Sequence, residues 1–271
     1  MNPRITKIWL VAGALILFVL LFIAPKLPAS SQQVHGAAET AAVNEGADLQ
    51  VFLNLALQKL EPAKKVQLDQ FVASKQFDSI SEFWQRNKRP DLAAHFAEEK
   101  AKKTNAANDW FNAGNRYYYS VQFTQDKSEA PALYASAIRS FKKGLTLEPN
   151  NTDAKIMLAS SYVDGSQDPM KGISLLREVE KTDSNNVKLQ LSFAFFSVKS
   201  GQLDRAIQRF EKVLRVDSNY LEVYLHLADA YEQLNNTDKS IIMLEQYSRR
   251  TSDVTARVEV NKYIKQLKES K

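Results

Sequence analysis

Residues 187–220 read VKLQLSFAFFSVKSGQLDRAIQRFEKVLRVDSNY, and this stretch decides the fold. It ends in Asp217-Ser218-Asn219, and the same triplet stands 34 residues earlier as Asp183-Ser184-Asn185. A related turn, Glu148-Pro149-Asn150, precedes that one by 35 residues. Turn residues at this interval, with apolar residues at helical spacing between them, indicate a repeated unit of two helices.

Neighbouring stretches carry the same residue types at the same positions of the unit. Large residues at the fourth, seventh, eleventh and twenty-fourth positions would fill the space between units, and no unit can bury that face alone. Small residues at the eighth and twentieth positions would let the two helices of a unit approach closely. These small pairs are Gly114 and Ala137, Ala159 and Gly172, Ala194 and Ala206, and Ala228 and Ser240.

These positions resemble the tetratricopeptide repeat (TPR) family over residues 74–268. The resemblance implies an all-α fold, a TPR α-solenoid in which antiparallel helix pairs form a right-handed superhelix. The expected units are an N-terminal helical hairpin at 48–73, a degenerate TPR at 74–106, a TPR with an inter-helix insertion at 107–151, TPRs at 152–186, 187–220 and 221–252, and a C-terminal capping helix at 253–271.

Burial is also predicted for the two ends of this array. In the hairpin, a second helix is expected over residues 63–74, with Val66 and Phe71 buried. In the capping helix, the apolar side is expected to contain Val258, Tyr263, Ile264 and Leu267. The insertion spans roughly residues 119–130, and whether it covers a groove or forms part of one is left open.

The N-terminal part of the sequence predicts a membrane anchor. Residues 8–24 are 17 consecutive uncharged, mostly apolar residues, which as a helix would span about 26 Å. Arg4 and Lys7 precede them, so the positive-inside rule predicts a cytoplasmic N-terminus at 1–7. Residues 25–47 are rich in Ala, Ser, Gln, Gly and Pro and are expected to form a flexible linker. A signal peptide cleaved near Ala29-Ser30-Ser31 is the alternative.

Composition and motifs argue against catalysis and cofactor binding. The chain has no cysteine and three histidines that are far apart, so thiolate and polyhistidine metal sites are not expected. It lacks GxxxxGK[ST], GxGxxG, HExxH and GxSxG motifs, and Glu98-Glu99 is interpreted as a pair of surface charges on different helix faces. The formal charge of +5 is spread along the chain, which does not favour nucleic acid. The sequence predicts no enzyme, no cofactor and no metal site.

The TPR resemblance also implies where a partner would bind. Family members hold peptides on the concave side, at the second, fifth, ninth and twelfth positions of each first helix. Phe195 is expected in this groove, whereas Phe193 and Phe196 are expected in the core. The fifth positions are not basic, so the carboxylate clamp of chaperone-binding TPRs is absent. The candidate partner-binding residues are Phe111, Asn115, Tyr118, Ile156, Ser160, Val163, Leu191, Phe195, Val198, Leu225, Asp229 and Glu232.

Anchor, linker and repeats together resemble single-pass TPR proteins of Gram-negative bacterial envelopes. The resemblance implies a scaffold in the inner membrane, with its TPR domain in the periplasm, that recruits a protein or peptide through an apolar groove with one acidic end. Two alternatives stay open. One is a chaperone-like holdase or assembly factor, for translocon clients or cytochrome c maturation. The other is a noncatalytic subunit of an envelope enzyme complex. The sequence leaves the oligomeric state open.

Overall fold

The computed structural model describes residues 53–124, 127–165 and 169–269, and every regular element in these ranges is helical. The all-α prediction is therefore confirmed for this part of the chain. The predicted cytoplasmic segment 1–7, membrane helix 8–24 and linker 25–47, and the first residues of the 48–73 hairpin, lie outside the described residues. Among the helices that are described, none is long and apolar enough to cross a membrane.

Twelve helices with defined ends are labelled here in chain order. Residues 53–58 are also helical, and a 3-10 turn at Lys127–Glu129 precedes α5. The helices are α1 Pro62–Ala73, α2 Phe77–Arg86, α3 Pro90–Thr104, α4 Ala107–Ser120, α5 Ala130–Leu147, α6 Thr152–Gly165, α7 Pro169–Thr182, α8 Val187–Lys199, α9 Leu203–Val216, α10 Leu221–Gln233, α11 Thr237–Arg250 and α12 Val254–Glu269.

Each helix from α1 to α12 packs against the next one in the chain. Most of the connections are short, and short connections between packed helices make neighbours antiparallel. The helices α4, α6 and α8 also contact one another in sequence, α4 with α6 and α6 with α8. These first helices of successive pairs therefore lie side by side on one face of the array.

Four of the connections use the same turn. Lys75, Lys88, Gly201 and Asn235 have φ between 53° and 71°, in the left-handed region. In each turn this residue donates its N–H to the carbonyl three residues back, and the next residue donates to the carbonyl five residues back. These two bonds satisfy carbonyls that the end of a helix leaves free. Gly201 and Asn235 are 34 residues apart, so the turn repeats with the sequence period.

Asparagines of the recurring turns cap the following helices. The side chain of Asn151 accepts a hydrogen bond from the N–H of Ala154 at 2.9 Å, at the start of α6. Asn186 does the same for Leu189 at 3.1 Å, at the start of α8. An N-cap of this kind satisfies a backbone donor that the first turn of a helix leaves free. The asparagine clusters in the sequence thus mark helix starts.

The small residues of the repeat lie at the crossing of paired helices. Ala159, Ala194 and Ala206 are completely buried. A methyl group added at Gly172 of α7 would lie 2.4 Å from the carbonyl oxygen of Ala159 in α6. At this crossing the second helix therefore packs directly on the backbone of the first, as the pattern of small residues predicts.

Three of the residues predicted to be buried at the ends of the array are exposed. Val66 is exposed, and α1 buries Leu68 instead. In α12, Val258 and Tyr263 are exposed, while Ile264 is buried and Leu267 packs beside it. The reason is geometric, since a terminal helix has one neighbour and buries one narrow stripe. Residues two positions apart on a helix point about 200° apart, so Val66 lies opposite Leu68.

The interpretation of Glu98 as a surface charge is also wrong. Glu98 of α3 is only 3% exposed and accepts a hydrogen bond of 2.7 Å from the hydroxyl of Tyr117 in α4. Arg139 of α5 and Lys102 each place a nitrogen 3.5 Å from its carboxylate. Burial would raise the pKa of Glu98, but the Tyr117 hydrogen bond and the two cations outweigh it, so the pKa lies below its usual value.

The Glu98→Gln variant is expected to lose about 1–3 kcal/mol of unfolding free energy at pH 7, because the two cations lose their charged partner. Since the pKa of Glu98 is lowered in the folded chain, its carboxylate stabilises the fold at neutral pH. That contribution is lost as the pH falls from about 4.3 towards the lowered pKa of the folded chain. The difference in unfolding free energy between the variant and the native chain should therefore become smaller in acid.

Denaturant titrations at pH 7 and in acid measure this difference in unfolding free energy. Glu99→Gln, which removes a more exposed ion pair with Lys102, is the control and should change little. A difference that stays constant with pH contradicts this account.

Candidate functional site

A groove of about 840 Å³ runs along the face formed by the first helices α4, α6 and α8. Its lining includes the end of α4 and the start of the insertion, through Tyr119 and Gln122. We call it the first-helix groove. Seven of the twelve predicted binding residues line it, namely Phe111, Asn115, Tyr118, Ile156, Ser160, Leu191 and Phe195.

The floor of the first-helix groove is part of the core. Phe111, Ile156 and Ser160 are 8%, 2% and 7% exposed, respectively. The ring of Phe111 packs on Gly144 of α5, where a methyl group would lie 2.3 Å from the ring. Small residues between α4 and α5 thus leave room for the ring to sink beneath the surface. These three residues shape the groove but offer little area to a ligand.

Phe195 lines the groove and its side chain is well exposed, at 42%. Its ring meets those of Phe210 in α9 and His226 in α10 edge-on, with centroids 5.5 and 4.9 Å away. The Phe210 and His226 rings are stacked at 5.4 Å. Burial lowers the pKa of His226, and the charges of Asp229 and Glu222 act in the opposite direction. Packing on two rings holds Phe195 in place while one side of it stays open to a ligand.

The structure places Phe193 and Phe196 differently. Phe193 is buried, as predicted, and the guanidinium of Arg209 lies 4.4 Å from the centre of its ring. Phe196 is only partly buried and lines the first-helix groove next to Phe195. The prediction that Phe196 belongs to the core is therefore only partly right, because this side chain contacts the core and the groove together.

Ion pairs between α6 and α8 lie at both ends of the groove. At one end Lys188 pairs with Asp153, and at the other Lys199 pairs with Asp164 at 2.9 Å. The partners of each pair are 35 residues apart, one repeat length. Asp164 also accepts a hydrogen bond of 2.8 Å from the hydroxyl of Tyr118 in α4. All four charged residues line the groove, so it has an apolar middle and polar ends.

The Tyr118 hydroxyl is held as a hydrogen-bond donor. Burial, with the carboxylate of Asp164 beside it, raises the pKa of Tyr118 above its usual value. The ring meets Tyr119 and Tyr134 edge-on, with centroids 5.2 and 5.7 Å away. Tyr118 thus joins the first helix of one pair to the first helix of the next, and it closes one end of the groove.

Five predicted binding residues do not line the first-helix groove. Val198 packs against the core shared by α8, α9 and α10, and Leu225 packs against the core of α10, α11 and α12. Val163 lies close to Gly172, at the crossing of α6 and α7. Helix crossings thus take up these three side chains. Asp229 is exposed and Glu232 partly buried on α10, beyond the Phe195–His226 contact.

Sequence reasoning missed the charged members of the site. The opposite charges at Asp153 and Lys188, and at Asp164 and Lys199, stand one repeat length apart, so this spacing could have identified both ion pairs. Ser192 and Phe196 occupy none of the four usual groove positions of a first helix, and no sequence pattern indicated that they would line the groove. Within the described ranges, no cluster of three or more Asp, Glu or His side chains could hold a metal ion.

A second cavity of about 530 Å³ lies near the beginning of the described chain. It is lined by Leu55 and Ala56, by the turn between α2 and α3, and by Phe123 of the insertion. Trp84 also lines it, and the indole N–H of Trp84 has no hydrogen-bond partner within the described residues. Its lining includes both basic and acidic side chains, and none of the predicted binding residues lies there.

Helix pairs stacked in series, with their first helices side by side, define an all-α helical repeat protein. Residues 197–259 match the family model described as tetratricopeptide repeat, and this match spans α9, α10, α11 and the adjoining ends of α8 and α12. This part of the helical array therefore consists of tetratricopeptide repeats.

Several solved TPR structures are similar in fold. One is YrrB, described as a TPR protein with an unusual peptide-binding site, at 19% identity and a TM-score of 0.44 over 69% of this chain and 90% of that one. Another is MamA from Desulfovibrio magneticus RS-1, at 16% identity and 0.45, over 73% and 96%. A third is TTC0263, a thermophilic TPR protein from Thermus thermophilus, at 16% and 0.47, over 69% and 97%. No curated protein matches the sequence.

Proposed function

We propose that this chain is a membrane-anchored, noncatalytic TPR scaffold that binds a partner protein or peptide in the first-helix groove. The observation that carries the proposal is the groove itself, about 840 Å³ in volume, with Phe195 open to solvent above a buried floor. Grooves with an apolar middle and polar ends suit extended or amphipathic segments. TPR repeats typically bind proteins or peptides and are typically noncatalytic, which agrees with this geometry.

The location of the scaffold is part of the proposal. The uncharged segment 8–24, preceded by Arg4 and Lys7, supports an anchor in the inner membrane with the repeats on the periplasmic side. Residues 25–47 would give the repeats reach from the membrane surface. The anchor would confine the scaffold to the membrane plane, where a partner in the cell envelope could be recruited.

The absence of cysteine from the sequence allows a direct test, because one introduced thiol can be labelled uniquely. A benzophenone maleimide on Ser192→Cys would lie in the groove, one helical turn from Phe195. The same probe on Met170→Cys would lie on an exposed part of α7, outside the groove. Irradiation of membranes that contain the anchored chain should give a dominant protein adduct from position 192 that is missing from position 170.

The Phe195→Glu substitution is expected to reduce that adduct at least tenfold, because it places a charge in the apolar middle of the groove. The adduct is quantified by mass spectrometry with the probe at position 192 in both backgrounds. Val216→Glu, which adds the same charge at an exposed apolar position of α9, is the matched control and should leave the adduct unchanged. The thermal midpoint of each variant shows that it folds.

The other outcomes are informative. The same adducts from positions 170 and 192, or an adduct that survives Phe195→Glu, would contradict a partner in the groove. Many adducts of similar intensity, all reduced by Phe195→Glu, would favour the holdase alternative, because a scaffold binds one partner and a holdase binds many apolar segments.

A further inference from the structure

The chemistry of the partner can be argued from the charges that border the groove at α10. Glu222, Asp229 and Glu232 are spaced by seven and three residues, which places them on one face of this helix. We call these three residues the acidic strip. Glu222 and Asp229 are exposed, and Glu232 is partly buried.

The acidic strip continues the first-helix groove. Phe195 of the groove contacts His226, which lies four residues after Glu222 and three residues before Asp229 on α10. The two carboxylates therefore flank the histidine against which the exposed phenylalanine packs. On the far side, the hydroxyl of Tyr263 in α12 donates to Glu232. A ligand that covers Phe195 and extends towards α12 would pass over these carboxylates.

The charges of the acidic strip are not neutralised within the described residues. Glu232 accepts hydrogen bonds from Ser240 and Tyr263, and Asp229 accepts one from Gln233, all of them uncharged donors. Glu222 has no side-chain partner in the described part of the chain. The acidic strip differs in this respect from α6, where Asp153 and Asp164 each pair with a lysine of α8.

We propose that the partner segment is basic, an inference that rests on the proposed function. An apolar side chain of this segment covers Phe195, and the adjoining lysine or arginine side chains pair with the acidic strip. Charge complementarity carries this choice of occupant, since the aspartates of α6 already have lysine partners, whereas the α10 carboxylates have no cationic partner among the described residues. Glu222 and Asp229 are seven residues apart, about 10 Å along a helix. An extended segment covers that distance in about three residues.

Two consequences separate this partner from an uncharged or acidic one. Long-range attraction between the acidic strip and a basic segment weakens as salt is added, because the screening length falls from about 10 Å at 0.1 M to about 3 Å at 1 M. An acidic segment with the same apolar residues would place its carboxylates against those of the acidic strip. Because like charges repel across a contact, such a segment binds poorly.

The test uses the full chain in a non-ionic detergent and three labelled twelve-residue peptides, measured by fluorescence anisotropy. The basic peptide carries Leu-Phe followed by two lysines three residues apart. The acidic peptide has glutamate in place of both lysines, and the third has glycine in place of Leu-Phe but keeps the lysines. The basic peptide is expected to bind at least tenfold more tightly than the other two, with an affinity that falls as salt is raised.

The chain variants give the sharper comparison. A Glu222→Lys/Asp229→Lys variant is expected to bind the acidic peptide in preference to the basic one. The control is Glu178→Lys/Glu259→Lys, which changes the net charge equally at exposed positions of α7 and α12 and should keep the native preference. Equal affinity for the basic and acidic peptides, no binding of the basic peptide, or the same change in both double variants would overturn the proposal.

The two proposals can fail separately. If both Leu-Phe peptides bind equally and Phe195→Glu weakens both, the groove binds peptides but the basic partner is wrong. If Phe195→Glu changes no affinity and the probe at position 192 gives no dominant adduct, the groove proposal fails, and the basic partner fails with it.

Discussion

The Phe141→Ala variant is expected to unfold with a free energy about 3–5 kcal/mol lower than that of the native chain. Phe141 of α5 is completely buried, in a core that also contains Tyr117 of α4 and Leu158 of α6. Its ring is so close to Gly114 that a methyl group there would lie 3.0 Å from three ring atoms. Alanine would leave a cavity between two helix pairs, and a closely packed interior relaxes only partly into such a space.

Denaturant titration measures this loss, and Phe123→Ala is the matched control because Phe123 is 66% exposed in the insertion. The control should change the free energy of unfolding by less than about 0.5 kcal/mol. Phe141 also lines the first-helix groove, so peptide affinity should fall in the same variant. Equal losses for Phe141→Ala and Phe123→Ala would contradict the packing described here.

The Gly172→Val variant is expected to lose about 3 kcal/mol, at the upper end of the cost of overpacking. The first added carbon would meet the carbonyl oxygen of Ala159 at 2.4 Å and a methyl group of Val163 at 2.7 Å. A backbone oxygen in the middle of α6 cannot move aside as a flexible side chain can, so α7 must shift away. Helix propensity favours valine slightly over glycine, so a loss of stability would come from the crossing and not from the helix itself.

Ser174→Val, two residues further along α7 and exposed, is the control for adding a β-branched side chain to this helix. It should leave the thermal midpoint within a few degrees of that of the native chain. Circular dichroism follows both variants. A Gly172→Val midpoint that matches the native one would show that α6 and α7 do not pack this closely.

The helical repeat was accessible from the sequence because it depends on local, periodic signals. Ala159 with Gly172, and Ala194 with Ala206, recur at fixed positions, and Asn151 and Asn186 mark the starts of first helices. Such signals require no knowledge of distant contacts. The burial of Glu98 was not accessible in this way, because Tyr117 and Arg139, on two other helices, supply its partners.

The candidate groove could be predicted only in part, for a related reason. Position in the repeat identifies the face on which a residue lies, and Leu191 and Phe195, chosen in this way, line the groove. Depth on that face depends on the neighbouring helix. Phe111 sinks into the floor because Gly144 leaves room for its ring, whereas Leu225 is drawn into the core of α10, α11 and α12.

The two ion pairs between α6 and α8 have a consequence for the order of the units. Asp153 and Lys188 occupy the same position of successive repeats, and so do Asp164 and Lys199. If the unit at 187–220 stacked on a second copy of itself, Lys188 would face Lys188 and Lys199 would face Lys199. Repulsion at both ends of the helix would oppose that pairing. The opposite charges on α6 and α8 therefore favour packing of α8 beside α6 over packing of α8 beside a second copy of itself.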